Sequence, residues 1–183
     1  RVVARQRAKR VKNSVTSCIA LYLSVKHRQR GEAAVEQRRI PDIIGPQTLV
    51  TLTPRDCAHD AAQLMTTHRI STILVVEGDC LVGICTERDI VTRVVAADRN
   101  PPTTPLAAVM TADHDCVTPD VTLAEAWDRM SRGGYRHLPV VADGSAVGIV
   151  SVRDLHAAVM AGLQADLEER DAFIAGIGPG GLN

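Results

Sequence analysis

From residue 50 onward the apolar positions change period in a fixed order. Val50 to Thr53 form a short extended run closed by Pro54, which disfavours helix in the residue before it. Ala58, Ala61, Ala62 and Met65 then fall at i, i+3, i+4 and i+7, one face of a helix. Ile73 to Val76 is continuous, apolar and rich in β-branched side chains, the pattern of a strand buried on both faces. Glu77-Gly78-Asp79 has turn chemistry, and Leu81 to Cys85 returns from it as a second apolar strand. Thr86 is a good N-cap for a further helix, with Ile90, Val91, Val94 and Val95 as its apolar face. The predicted order is β-α-β-β-α.

That order is written twice. At a constant offset of 65, Thr53-Pro54 matches Thr118-Pro119, Met65 matches Met130, Val82-Gly83-Ile84 matches Val147-Gly148-Ile149, and Arg88-Asp89 matches Arg153-Asp154. The second copy predicts strands at Asp115–Val117, His137–Val141 and Ala146–Val150, a helix over Leu123–Ser131, and another from Val152 towards Gly162. A long period present only twice argues for two small α/β (α+β) units packed on each other rather than a solenoid. Residues 40–97 form the first unit and 106–162 the second, joined by a proline-rich linker at 98–105. Residues 163–183 read as a helix end and a flexible, glycine-rich tail. The helical stripe Leu123, Trp127 and Met130 is larger than one small unit needs, so it is expected to serve a partner surface and to make the protein a homodimer.

With 183 residues and 45% apolar composition the chain can bury a real core, and 2% aromatic content makes that core aliphatic. Net charge is zero but uneven. Residues 1–39 hold 11 Lys+Arg against 2 Glu, whereas residues 40–183 hold 10 Arg against 19 Asp+Glu. The basic front segment is therefore expected to be a partly disordered extension, with nucleic-acid binding the weaker reading of its charge. Its apolar run, Cys18 to Leu23, is too short to span a membrane and is followed by Lys26-His27-Arg28 rather than a small-residue cleavage site. The cysteines form no CxxC or metal-ligand spacing with histidine, which favours reduced thiols, a cytoplasmic setting and no metal. Cys80 and Cys85 read as small hydrophobes, and His59, His68, His114 and His156 as solvated.

Each copy ends its last strand in a Gly-x-x-(Thr/Ser)-x-x-Asp run, Gly83 to Asp89 and Gly148 to Asp154. Free N–H groups and the positive end of the helix dipole favour an anion at such a junction. Thr86 or Ser151 could donate to a phosphate, Asp89 or Asp154 could accept from a ribose diol, and Gly83 or Gly148 would let a flat base approach. The competing reading is a capping box, which only closes the helix.

These repeats resemble tandem cystathionine β-synthase (CBS) domains, the pair called a Bateman module, over roughly residues 40–160. The resemblance implies two units packed about a pseudo-two-fold axis, with two clefts for adenine nucleotides (AMP, ADP or ATP) and S-adenosylmethionine or NADH as further possibilities. It implies that Asp89 and Asp154 hold ribose, that Thr86 and Ser151 contact ribose or phosphate, and that residues around Thr53, Thr118, Val75 and Val140 flank the base. Arg136 and His137 would meet phosphate; Arg88 and Arg153 either join them there or form surface pairs with the neighbouring carboxylates. The first copy has Ser71-Thr72 in place of Arg136-His137 and Leu74 in place of Pro139, so its cleft is expected to be the weaker. The implied function is regulatory ligand binding without catalysis. Its rivals are an assembly domain with empty clefts and a regulatory fragment of an enzyme such as inosine monophosphate dehydrogenase.

Overall fold

The computed structural model describes residues 37–174 and Gly176; the expectations for the basic front segment and the glycine-rich tail fall largely outside them. In chain order the elements are α1 (Ile40–Ile44), β1 (Thr51–Leu52), α2 (Ala58–His68), β2 (Thr72–Glu77) and β3 (Cys80–Thr86). There follow α3 (Glu87–Asp89, continued as a π-helix over Ile90–Val95), α4 (Leu123–Gly133), β4 (His137–Ala142), β5 (Ser145–Ser151) and α5 (Val152–Ile174). The β-α-β-β-α order holds for the first unit. In the second, the leading strand shrinks to one parallel bridge, Val117 with Val140, which occupies the place of the β1–β2 pair Leu52 with Val75.

The strands form one mixed sheet in the order β1-β2-β3-β5-β4. Both hairpins carry a register shift at the same place, Val75/Val76 and Val140/Val141. The two halves join antiparallel at Cys80 and Ser145, which are equivalent positions, so a pseudo-two-fold axis passes between them. The second hairpin turns tightly because Asp143 and Gly144 both take positive φ, 51° and 81°.

Each unit has its own aliphatic core. Ala58, Ala61, Met65, Ile73, Val75, Cys85 and Val94 fill the first; Leu123, Ala126, Trp127, Met130, Leu138, Val140 and Val150 fill the second. The cores exchange segments. Ile40, Ile43 and Ile44 pack into the second core, while Leu106, Val109 and Met110 pack into the first. Backbone bonds hold both exchanges: Ile40 N–H donates to Val121 O (3.1 Å) and Leu106 N–H to Asp56 O (2.8 Å). Each unit is thus completed by the stretch that leads into the other.

Two expectations fail for physical reasons. The stripe Leu123, Trp127 and Met130 is 0%, 7% and 2% exposed, consumed by its own unit's core and not available to a partner. Val91 and Val95 are 58% and 61% exposed, because Ile90–Val95 winds as a π-helix with Ala96 N–H bonded to Val91 O at 2.9 Å. The wider turn leaves only Val94 fully inward. The last helix runs on to Ile174, though its buried residues stop at Gly162.

Candidate functional site

Each hairpin delivers a hydroxyl and a carboxylate to a helix start. Thr86 N–H and Oγ1 both donate to Asp89 Oδ2 (2.9 and 2.6 Å), and Asp89 N–H donates back to Thr86 Oγ1 (3.2 Å). Ser151 and Asp154 repeat the arrangement at 2.7, 2.6 and 3.3 Å. Both motifs are therefore reciprocal capping boxes, each of which uses one carboxylate oxygen.

The remaining oxygens differ. Asp89 Oδ1 faces Arg93 Nε at 3.5 Å, and Arg93 also donates to Val109 O and Met110 O (2.7 and 2.6 Å). The position equivalent to Arg93 in the second unit is Ala158, so Asp154 Oδ1 has no partner among the described residues. Asp89 is committed to its own unit; Asp154 keeps an acceptor for something else.

Arg136, Arg153 and Asp154 all act electrostatically on His137. Val152 N–H donates to Arg136 O at 3.0 Å, which sets the start of β4 against the start of α5; Glu87 N–H and Ser71 O make the same bond at 3.1 Å in the first unit. Ser71 Oγ reaches across the unit boundary to within 3.1 Å of His137 Nε2. Burial is the main cause holding His137 below its ordinary pKa of 6.5; Arg136 adds to it, Asp154 opposes it and Arg153 adds a little more. Arg136, His137, Arg153 and Asp154 thus share one electrostatic environment. The guanidinium groups of Arg88, Arg136 and Arg153 make no hydrogen bond or ion pair among the described residues. In the first unit Thr72 stands where His137 does, and its buried hydroxyl has no hydrogen-bond partner among the described residues.

Other expected site residues have structural duties. Thr53 N–H and Oγ1 donate to Asp56 Oδ2 (2.6 and 2.8 Å), and Thr118 Oγ1 donates to Asp120, so both hydroxyls close turns. Val75 and Val140 lie inside the two cores. The glycines make room for protein, not for a base. A Cβ at Gly83 would stand 2.8 Å from Met110 Sδ, and one at Gly148 would stand 2.8 Å from Ile44 Cδ1. Beside them, Thr111 pairs by backbone with Ile84, while the Gln47 side chain bonds both the N–H and the carbonyl of Ile149 (2.9 and 3.0 Å).

Of the cysteines, Cys85 is buried and its thiol is pushed up to about 12, chiefly by burial; Cys80 is exposed and is not the core hydrophobe expected of it. His59 was expected to be solvated without partners. It is exposed, as expected, and it also sits beside Cys57 and Asp60 at the start of α2. Aligning the repeats gives the signal: Cys57 and Asp60 fall on the capping box Thr122 and Glu125.

The CBS-domain profile matches residues 47–96 and 106–161, the two units just described. The chain belongs to the CBS-domain family. It is 32% identical over 129 residues to the CBS domain-containing protein CBSX3, mitochondrial, of Arabidopsis thaliana, a match covering 68% of this chain and 63% of that one. It therefore spans less than two thirds of that relative's own length. A solved CBS-domain structure from Burkholderia ambifaria aligns with a TM-score of 0.65 and 34% identity, covering 68% of this chain and 95% of the other. A hexameric CBS-CP12 protein from bloom-forming cyanobacteria aligns at 0.60 with 26% identity, covering 65% of this chain and 66% of that one. Among the described residues no helix is long and apolar enough to cross a membrane.

Proposed function

We propose that this CBS pair is a non-catalytic regulatory module that binds an adenine nucleotide of the AMP, ADP or ATP class, mainly at the second unit's motif. The observation that carries this reading is the unspent Asp154 Oδ1, which acts on His137 together with Arg136 and Arg153, with neither arginine paired among the described residues. A carboxylate acceptor at a helix start suits a ribose diol, and two uncommitted guanidinium groups suit phosphate, with which they form charge-assisted contacts. Ser71 reaches this place from the first unit, which would let ligand binding sense how the two units sit together. Homodimer formation stays part of the proposal, although the helical stripe first offered for it is buried; larger assemblies, as in the hexameric relative, are its alternative.

Calorimetric titration of the full chain with AMP, ADP, ATP, NADH and S-adenosylmethionine tests the reading. Binding of at least one adenine nucleotide is expected, and Arg136→Ala should weaken AMP more than adenosine. Silence with every ligand would leave the assembly-domain reading in its place.

A further inference from the structure

The strongest group of ligating side chains outside the nucleotide motif lies at the start of α2, where Cys57, His59 and Asp60 converge. We propose that this turn binds a borderline-soft divalent cation, zinc or cobalt in kind, through the Cys57 thiolate, a His59 ring nitrogen and the Asp60 carboxylate, with water completing the shell. The three donor atoms lie within 4.8 Å of one another, and His59 Nδ1 is 3.7 Å from Asp60 Oδ1. Donors around tetrahedral zinc, with bonds of about 2.0–2.3 Å, stand roughly 3–4 Å apart. A side-chain adjustment on the order of 1 Å closes the difference. His59 and Asp60 are about half exposed, and His59 borders an open face with Ala62, Gln63, Thr66 and Thr67.

The donor set suits such a cation. Cysteine and histidine select borderline-soft metals, and a carboxylate completes a mixed three-ligand site with one open position. A cation at a helix N-terminus meets the positive end of the dipole. Here the thiolate and the carboxylate, once bound to the cation, supply two negative charges against it.

The sequence of this turn also departs from what capping alone would select. The matching turn of the second unit is a complete box, Thr122 with Glu125, and carries Ala124 where the first has His59. Cys57 occupies the cap position of α2 but its side chain makes no capping bond, and cysteine is not among the residues preferred there. Ligation accounts for both the thiol and the imidazole. The turn that carries these donors is held to the neighbouring segment by backbone bonds, Ala58 N–H to Thr104 O at 2.9 Å and Leu106 N–H to Asp56 O at 2.8 Å.

The test is titration of the full chain with Co²⁺ at neutral pH, followed by thiolate-to-cobalt charge-transfer absorption, with zinc then added to displace it. Cys57→Ser keeps a residue able to cap and removes the thiolate; His59→Ala installs the second unit's residue. Each should abolish one cobalt equivalent of the band or weaken it by about tenfold or more, since even an outer-shell partner is worth about 10–100-fold. Cys80→Ser and Cys116→Ser should leave the band unchanged. The proposal is overturned if wild type gives no band at saturating cobalt, or if the band survives intact in Cys57→Ser and His59→Ala. Should Cys57→Ser fail to fold, the exposed His59→Ala variant alone decides.

Discussion

At the scale of single residues, the two aspartates that close the caps do the same local work and face different surroundings. Replacing either with alanine removes a capping box, so both variants should lose about 0.5–2 kcal/mol of stability. Only Asp154→Ala should also lose nucleotide affinity, by about 1–3 kcal/mol, or some five- to a hundredfold. Asp89 already shares its second oxygen with Arg93, so Asp89→Ala should leave affinity nearly unchanged. Calorimetry beside thermal denaturation separates the two effects, and equal affinity losses would contradict the asymmetry. His137 gives a pH signature. Its folded pKa is depressed below 6.5, so the fold holds it neutral while the unfolded chain binds the proton more readily. That contribution is fully present above the unfolded value and is lost as pH falls from about 6.5 through the lower folded value. Denaturant midpoints of wild type should therefore drop between neutral pH and mildly acidic pH by more than those of His137→Gln.

At the scale of elements, the two equivalent glycines should respond unequally to the same change. An alanine Cβ at Gly83 would meet Met110 Sδ at 2.8 Å and the backbone oxygen of Thr111 at 3.2 Å; at Gly148 it meets the mobile end of Ile44 first. Gly83→Ala should cost about 1–3 kcal/mol as overpacking, and Gly148→Ala distinctly less, because a terminal methyl can turn away where a carbonyl cannot. Urea denaturation of the two variants makes the comparison. These contacts were hidden in the sequence because Gln47, Met110 and Thr111 sit in stretches without period. The strands and helix starts were legible, since uninterrupted apolar runs and a Thr/Ser-x-x-Asp spacing report directly on burial and capping. What failed was the assignment of faces. A π-helix turned Val91 and Val95 outward, and an amphipathic stripe on α4 looked spare because one of its partners, Ile40, lies far along the chain. The charged cluster around His137 was half legible: its residues were visible in the sequence, while the Arg93–Ala158 difference that frees Asp154 emerged only from the fold.

At the scale of the whole molecule, the exchange of leading segments makes two units behave as one. The first core takes Leu106 and Val109, both fully buried, from beyond the linker, and the second takes Ile40 from the start of the first unit. Neither core can open without pulling on chain that the other has fixed. The sole tryptophan, Trp127, lies in the second core and reports on that unit alone. Leu106→Ala empties part of the first core, and a fully buried leucine truncated to alanine costs about 2–5 kcal/mol. If the units unfolded independently, Trp127 fluorescence would keep its wild-type midpoint in that variant. Coupling predicts the opposite: the Trp127 transition should move to lower denaturant together with the circular-dichroism transition, with both probes coincident as two-state unfolding requires. An unmoved Trp127 midpoint beside a shifted circular-dichroism curve would show that the exchanged segments do not carry cooperativity across the axis at Cys80 and Ser145. The same measurement bears on regulation, because Ser71 brings the first unit to the edge of the second unit's motif, and such coupling would carry an effect there through the rest of both units.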